Sequence, residues 1–371
     1  MPFLTCLSDC AMPYLSFRKN IPASPPIQLF SYQDPSAVKG GHISLLAAHP
    51  SFSTFNPYLT HHIAAAGAER LYATLMVTPI DYSSFSYPYA AKSFEETPTS
   101  LTFSLRDHMS FSNGAPITCA DLVYSFSSLK SFGPPAFQFF YKNVTAKCLS
   151  SHQIKFTTSA AHLRSEEKFF LGKLPIFSKP KQGKDDFATP HLTPPLASGP
   201  YQVKNFVPNN FIVYQRRADW WGENIPSMRG KYNFETITYH YYTHNEAAFE
   251  AFKKGLYDWR SENQALAWHK KYDFPAVQTG KIQKIEAPLP YNLGLNGIFF
   301  NMRRPLFKDR RVRQALSTFF DFETINTTML FDAYARNHTV YFSPHFSRAL
   351  TLEASETQCL QKFKHLLPED F

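Results

Sequence analysis

Charge is scarce in this chain. Asp, Glu, Lys and Arg make up 18% of its 371 residues, where soluble domains carry about 25%. No long basic run offsets that scarcity. The formal net charge of +9 is spread over isolated cations and short pairs such as Arg216-Arg217 and Arg310-Arg311, with no nucleic-acid motif among them. Cysteine is scarce too. Five cysteines, Cys6, Cys10, Cys119, Cys148 and Cys359, include no CxxC pair, and their odd number excludes a fully paired framework. Each reads as a packed thiol, not as a zinc ligand or nucleophile. No run of 18 apolar residues exists, so no segment reads as a membrane span. GxSxG, GxxxxGK[ST], HExxH and GxGxxG are all missing, which removes the commonest enzyme signatures. His240 and His244 have a spacing that would suit a metal on a helix. They fall in a strand-like segment, however, where four residues separate side chains by about 13 Å. His49 with His61-His62 is a weaker cluster still. We expect no catalytic residue, metal or cofactor.

Aromatic residues are what the chain has in excess: 36 Phe and 20 Tyr, enough to require large cores or wide apolar clefts. The elements mix. Residues 42–48 read as a strand and residues 63–76 as a helix. Leu101, Phe103 and Leu105 alternate with polar residues, as in a half-buried strand. Asn113-Gly114 marks a tight turn. Thr118, with Asp121 three residues on, opens a helix whose face is Leu122, Phe126 and Leu129. Residues 201–207 and 211–215 form a hairpin around Pro208-Asn209-Asn210. "FETITYHYYTH" continues as a strand, and "NEAAFEAFKKG" is a helix capped by Asn245 and closed by Gly255 and Leu256. "GLYDW" re-enters a strand, and "GIFFN" (297–301) is another. Asp309 and Asp321 cap helices with apolar faces at Val312, Leu316, Phe319, Ile325 and Met329. Strands and helices alternate without a regular repeat, so the fold class is mixed α/β. Many aromatics in a mixed fold without a catalytic signature suit a ligand-binding clamp.

Four stretches carry a resemblance. "SLRDHMSFSNGAPITCADLVYSF", "SGPYQVKNFVPNNFIVYQRRADWWGE", "AFEAFKKGLYD" and "GIFFNMRRPLFKDRRVRQALSTFFDFETIN" resemble, in order, the motifs of the family 5 extracellular solute-binding proteins of ABC importers. Asn113 stands where that family usually has Asp. "YQDPSAVKGGHISL" and "DWWGENIPSMRGKYNFETITYHYY" are similar to its microcin C and oligopeptide branch. The resemblance implies a type II-like periplasmic binding protein, a two-lobed clamp that closes over an oligopeptide or peptide-like ligand. It also implies delivery to an ABC permease with its ATPase, and a monomer that contacts no nucleic acid. Residues 30–60 and 190–287 would form lobe I and 61–189 a smaller lobe II. Residues 288–371 would begin a lobe III that is cut short, after an irregular tail over 1–29. The start "MPFLTCLSDC" lacks a basic leader region, which by itself predicts a cytoplasmic chain, whereas the resemblance predicts a periplasmic one. A truncated remnant with no transport role is the alternative reading. The implied ligand-facing residues are Phe52 and Phe55 after the first strand, Trp259 and Arg260 after "GLYD", and Asn296 with Phe299 at the crossover. Trp220 and Trp221 are expected to pack the hairpin instead.

Overall fold

The computed structural model describes residues 15–16, 30–80, 85–180, 187–286, 297–336 and 354–366. Its contacts fall into two compact units, Met1–Arg260 and Ser261–Phe371. In unit 1 the strands are β1 (Leu15–Ser16), β2 (His42–Leu46), β3 (Met76–Val77), β4 (Phe85–Pro88), β5 (Ala91–Thr97), β6 (Ser100–Leu105), β7 (Val144–Ser150), β8 (Gln153–Thr158), β9 (Tyr201–Val207), β10 (Phe211–Arg216) and β11 (Thr236–His240). Its helices are α1 (Cys119–Phe132), α2 (Pro135–Tyr141), α3 (Ser165–Gly172) and α4 (Asn245–Lys253).

The sheet that matters for function has the order β2-β11-β10-β9. β9 and β10 form the expected hairpin, with Asn209 at φ +63° in its turn. Asn tolerates that left-handed backbone better than most residues. Ile212 and Tyr214 on β10 are buried, and they oppose the buried Tyr239 and Ile237 of β11. β2 then pairs with β11 in parallel. Parallel neighbours need a crossover connection. Here the crossover carries the second sheet, β5-β6-β8-β7, between the two partners. A small third sheet, β1-β4-β3, completes the set among the described residues.

The second sheet follows its pattern closely. Leu101, Phe103 and Leu105 are fully buried, each contributing roughly 1.5–3 kcal/mol. α1 covers them through Leu122, Phe126 and Leu129, with the Phe126 ring 5.4 Å from Phe156. The Asp121 carboxylate accepts from Thr118 N (2.9 Å), from Thr118 Oγ1 (3.1 Å) and from Lys179 N (2.9 Å). It therefore satisfies the helix start and pins a distant loop at once.

Four expectations need correction. Cys119 and Cys148 are not packed thiols but a disulfide, with Cα atoms 5.8 Å apart. Cys119 N donates to Ser151 O at 2.8 Å, which sets the first residue of α1 beside the end of β7 and brings the two sulfurs together. Residues 63–76 are not a helix. Only Ala68–Leu71 make a short 3-10 turn. Ala73 O then accepts from Ile176 N (2.8 Å), and Leu75 N donates to Leu174 O (3.3 Å). Ala68, Leu71, Ala73 and Leu75 are all fully buried, and a short apolar run buried on every side is served by extended pairing as well as by a helix. Asn245 is the first residue of α4, not its cap. His244 holds the cap position, and Asn245 Oδ1 accepts from Arg260 Nη2 at 2.7 Å. The closing signal is as expected: Gly255 sits at φ +72° and Leu256 N donates to Ala251 O, a left-handed stop that glycine adopts without strain. Leu256 itself is exposed.

Unit 2 contains α5 (Ala265–Lys270), α6 (Pro275–Gln278), α7 (Pro305–Lys308), α8 (Arg310–Thr318), α9 (Phe322–Met329) and α10 (Ala354–Gln361). Asp309 Oδ1 accepts from Arg311 N, and Asp321 Oδ1 accepts from Thr324 N, capping α8 and α9 as predicted. The fourth correction is "GIFFN". Residues 297–301 form no strand, because no described segment pairs with them and an unpaired strand leaves its backbone groups to water. No helix among the described residues is long and apolar enough to cross a membrane.

Candidate functional site

The stretch 196–223 builds the floor of unit 1. The Ser198 hydroxyl donates to Ile176 O (2.7 Å) and accepts from Ala73 N (3.0 Å). At Gly199 a Cβ would stand 2.4 Å from Arg70 O, so only glycine lets this backbone pass so close. Arg217 is fully buried. Its guanidinium donates to the carbonyls of Ser110 (3.2 Å), Phe111 (3.1 Å), Ala197 (2.9 Å) and Gly199 (3.3 Å), and forks onto the Asp219 carboxylate at 3.2 and 3.0 Å. Those bonds hold the Asp219 carboxyl below the usual carboxylate range. The Trp220 ring lies 5.4 Å from Tyr232, and Trp221 stacks on Tyr89 at 5.2 Å. These residues are structural.

β2 is the edge of its sheet, and the chain returns to that edge after α4. Tyr257 is buried, and its hydroxyl donates to Ala248 O at 2.8 Å. That anchor delivers Asp258 and Trp259 alongside β2. Asp258 N donates to Ser44 O (2.8 Å), Ser44 N donates to Asp258 Oδ2 (2.7 Å), and Leu45 and Trp259 form a parallel bridge. The predicted re-entry is thus a single bridge, not a full strand. Trp259 is 56% exposed. A large ring held on a sheet edge by its backbone, with its side chain in solvent, is open to contact from a ligand.

Polar groups gather next to it. His42 Nδ1 lies 2.7 Å from Thr236 Oγ1, and His42 Nε2 lies 2.9 Å from Ser44 Oγ. Burial pushes the His240 imidazole below its ordinary value, the charge of His42 adds to that, and Asp258 opposes it. Arg260 donates to Tyr257 OH (3.0 Å) and Asn245 Oδ1 (2.7 Å) and lies 5.3 Å over the Phe249 ring. Its geometry is therefore set by α4. His42 is oriented by a hydroxyl, while the Asp258 carboxylate is turned to a backbone amide. The set offers an aromatic face, a cation and neutral hydrogen-bonding groups, which is the chemistry of holding a ligand. No group of His, Cys, Asp and Glu that could hold a metal occurs among the described residues.

Of the six residues expected to face a ligand, the fold brings Trp259 and Arg260 together. Phe52 and Phe55 are placed elsewhere: at 5% and 1% exposure they lie in the core. The Phe52 ring is 5.1 Å from Tyr241, and the Phe55 ring is 5.1 Å from Phe206. Residues just after a strand can turn inward as readily as outward, and here the hairpin offers them an aromatic bed. Phe299 belongs to unit 2, where it is 74% exposed. Asn296 lies outside the described residues. His42, Ser44 and Asp258 were not anticipated. The bridge of residues 258–259 to the edge of β2 joins Ser44 to Asp258 across 214 residues, and no local spacing signals that.

Residues 86–370 match the family described as bacterial extracellular solute-binding proteins, family 5 Middle. The chain is 34% identical over 343 residues to the uncharacterized protein YejA of Escherichia coli K12, covering 92% of this chain and 56% of that one. It is 31% identical over 352 residues to the probable peptide-binding protein YejA of Agrobacterium fabrum, covering 92% and 57%. The chain thus spans a little over half the length of these curated relatives. Among solved structures, the oligopeptide-binding protein AppA from Bacillus subtilis, in complex with a nonapeptide, superposes with a TM-score of 0.61 at 18% identity, covering 89% of this chain and 64% of that one. At that identity the likeness establishes the type II-like binding-protein fold and leaves the ligand open.

Proposed function

Because the chain belongs to family 5 of the bacterial extracellular solute-binding proteins, we propose that it is the substrate-binding component of an ABC importer for oligopeptides or peptide-like compounds. Microcin C-type peptides are the finer candidates. In this reading residues 30–60 and 190–287 form one lobe, 61–189 a smaller one and 288–371 belong to a third. The ligand lies on the carboxyl edge of β2 and β11, and hinge closure presents the loaded protein, as a monomer, to the permease and its ATPase. The observation that carries the proposal is Trp259, bridged to Leu45 through its backbone and open through its ring. Ligands of open α/β sheets bind beyond the carboxyl ends of parallel strands, and Trp259 pairs with Leu45, one residue before the end of β2. Trp259 supplies apolar contact and Arg260 pairs with a ligand carboxylate. The Cys119–Cys148 disulfide supports a periplasmic location, since such bonds persist in oxidising compartments.

Calorimetry of the 371-residue chain against a pool of mixed oligopeptides tests this. Saturable heat is expected. Trp259→Ala should weaken binding about tenfold, the loss of roughly 1.4 kcal/mol that an aromatic anchor carries, with no change in thermal midpoint because the ring is exposed. Absence of saturable heat with any peptide would overturn the assignment.

A further inference from the structure

α2 and α3 carry a connected run of phenylalanine rings at the surface of unit 1. The Phe139 ring lies 5.1 Å from Phe140, Phe140 stacks on Phe170 at 4.6 Å, and Phe170 meets Phe169 at 5.6 Å. Phe139 is 61% exposed and the other three are half-buried. The buried Phe137 ring, 5.1 Å from Phe170, anchors the run to the core. Cations sit on these rings. Arg164 lies 5.7 Å from the centre of Phe139 and 5.8 Å from that of Phe140, and the Lys173 ammonium lies 4.0 Å from that of Phe169. Lys142, exposed, follows Phe139 by three residues, on the same side of the helical turn. Of the acids nearby, Glu167 is buried and pairs with Arg164 at 2.8 Å, and Glu96 pairs with Lys168. Glu166 is the exposed acid of α3. No ion pair to Lys142 or Lys173 occurs among the described residues.

We propose that this face docks on the headgroup layer of an anionic lipid bilayer, with the rings at headgroup depth and Lys142 and Lys173 paired with lipid phosphates. A contiguous apolar patch at the surface marks a contact with a protein or a membrane. The mixture of residues decides between the two. The buried centre of a protein interface is depleted in Lys, whereas here an ammonium lies directly on a ring of the patch. A headgroup layer suits that mixture. Aromatic rings settle at such an interface, while a Lys stem lies along apolar surface and its head reaches a phosphate. Two lysines against Glu166 leave an excess of positive charge, which an anionic lipid uses and a neutral one does not. Burial pulls Lys173 below its ordinary value, and a phosphate beside it favours the charged form again.

The test sediments the full chain with vesicles of phosphatidylcholine and with vesicles of phosphatidylglycerol at low ionic strength. Binding to phosphatidylglycerol should be at least about tenfold tighter, since each lysine near an anionic surface is worth about fivefold. Phe139→Ser removes an exposed ring and leaves the core untouched, so the fold is retained. It should weaken that binding about tenfold, the effect of losing one apolar side chain from a buried contact. Lys142→Ala with Lys173→Ala should bring the two vesicle types to within about twofold of each other. Val38→Ala, at a position 89% exposed ahead of β2, should change neither. No binding to phosphatidylglycerol, or equal binding to both lipids, overturns the proposal. So does full binding by Phe139→Ser, or a loss with Val38→Ala as large as with Phe139→Ser. Self-association that Phe139→Ser abolishes, in a chain that ignores both vesicles, would assign the face to a second copy instead.

Discussion

Arg217 shows how one side chain can hold a lobe together. Four backbone carbonyls and one carboxylate surround its guanidinium. The carbonyls come from two segments, 110–111 and 197–199, which share no hydrogen-bonded ladder with β10. Only a planar fork with five donors satisfies such a set. Removing it by Arg217→Met takes the donor from the carbonyls of Ser110 and Gly199, each worth about 1–3 kcal/mol, while Phe111 O and Ala197 O keep the amides of Gly114 and Ser112 and Asp219, largely exposed, simply returns to water. We expect a loss of roughly 3 kcal/mol or more in urea unfolding, a large share of the ~5–15 kcal/mol available to a domain. Arg217→Lys should recover less than half of it, because an ammonium cannot span both segments. A variant within about 0.5 kcal/mol of the parent, the scale of ordinary surface substitutions, would mean that water replaces the guanidinium.

At the scale of elements, the disulfide between the start of α1 and β7 is the main unanticipated feature. It closes a loop of 29 residues in sequence separation, and loop-closure entropy of that size is worth about 3–4 kcal/mol. Reduction, or the paired substitution Cys119→Ser with Cys148→Ser, should lower unfolding free energy by about that amount. The β5-β6-β8-β7 sheet should loosen first, as followed by hydrogen exchange at Leu101 and Phe103. Unchanged protection there would show that the capping by Asp121 and the packing of Phe126 suffice. The contrast marks what was legible in the sequence. Thr118 with Asp121, the alternation through Leu105 and the turn at Asn209 are local, and each appears where its spacing placed it. The sulfur pair, the burial of Arg217, the inward turn of Phe52 and Phe55 and the extended path of residues 73–76 depend on partners tens or hundreds of residues away. The same holds for the site. Trp259 and Arg260 could be named because they follow a helix stop. Ser44 meets residues 258 and 259 only through their bridge to the edge of β2.

The two compact units differ in how much apolar surface they bury. Unit 1 has a continuous core from Ala47 to Tyr241. Among the described residues of unit 2, the buried apolar side chains are Ala265, Ala267, Tyr272 and Phe274. Apolar faces were expected on α8 and α9, and there Leu316, Phe319 and Met329 are exposed, Phe319 at 85%, with Ile298, Phe299 and Leu306 exposed as well. A large side chain left in water forgoes roughly 1.5–3 kcal/mol, so these six together forgo an amount comparable to a domain's whole net stability. Local opening should therefore be far cheaper in unit 2 than in unit 1, and protease attack on open states follows that population. Brief trypsin treatment should cut first around Arg303-Arg304 and Arg310-Arg311, where α7 and α8 are short and exposed. The expected product is a resistant fragment that retains Arg217 and the disulfide-linked sheet. Mass spectrometry of the early products decides the matter. If cleavage at Lys92, Lys155 or Lys204 in unit 1 proceeds as fast as cleavage at Arg310, the exposed faces of α8 and α9 are covered in solution by a partner or a second copy, and the stability difference argued from burial does not hold.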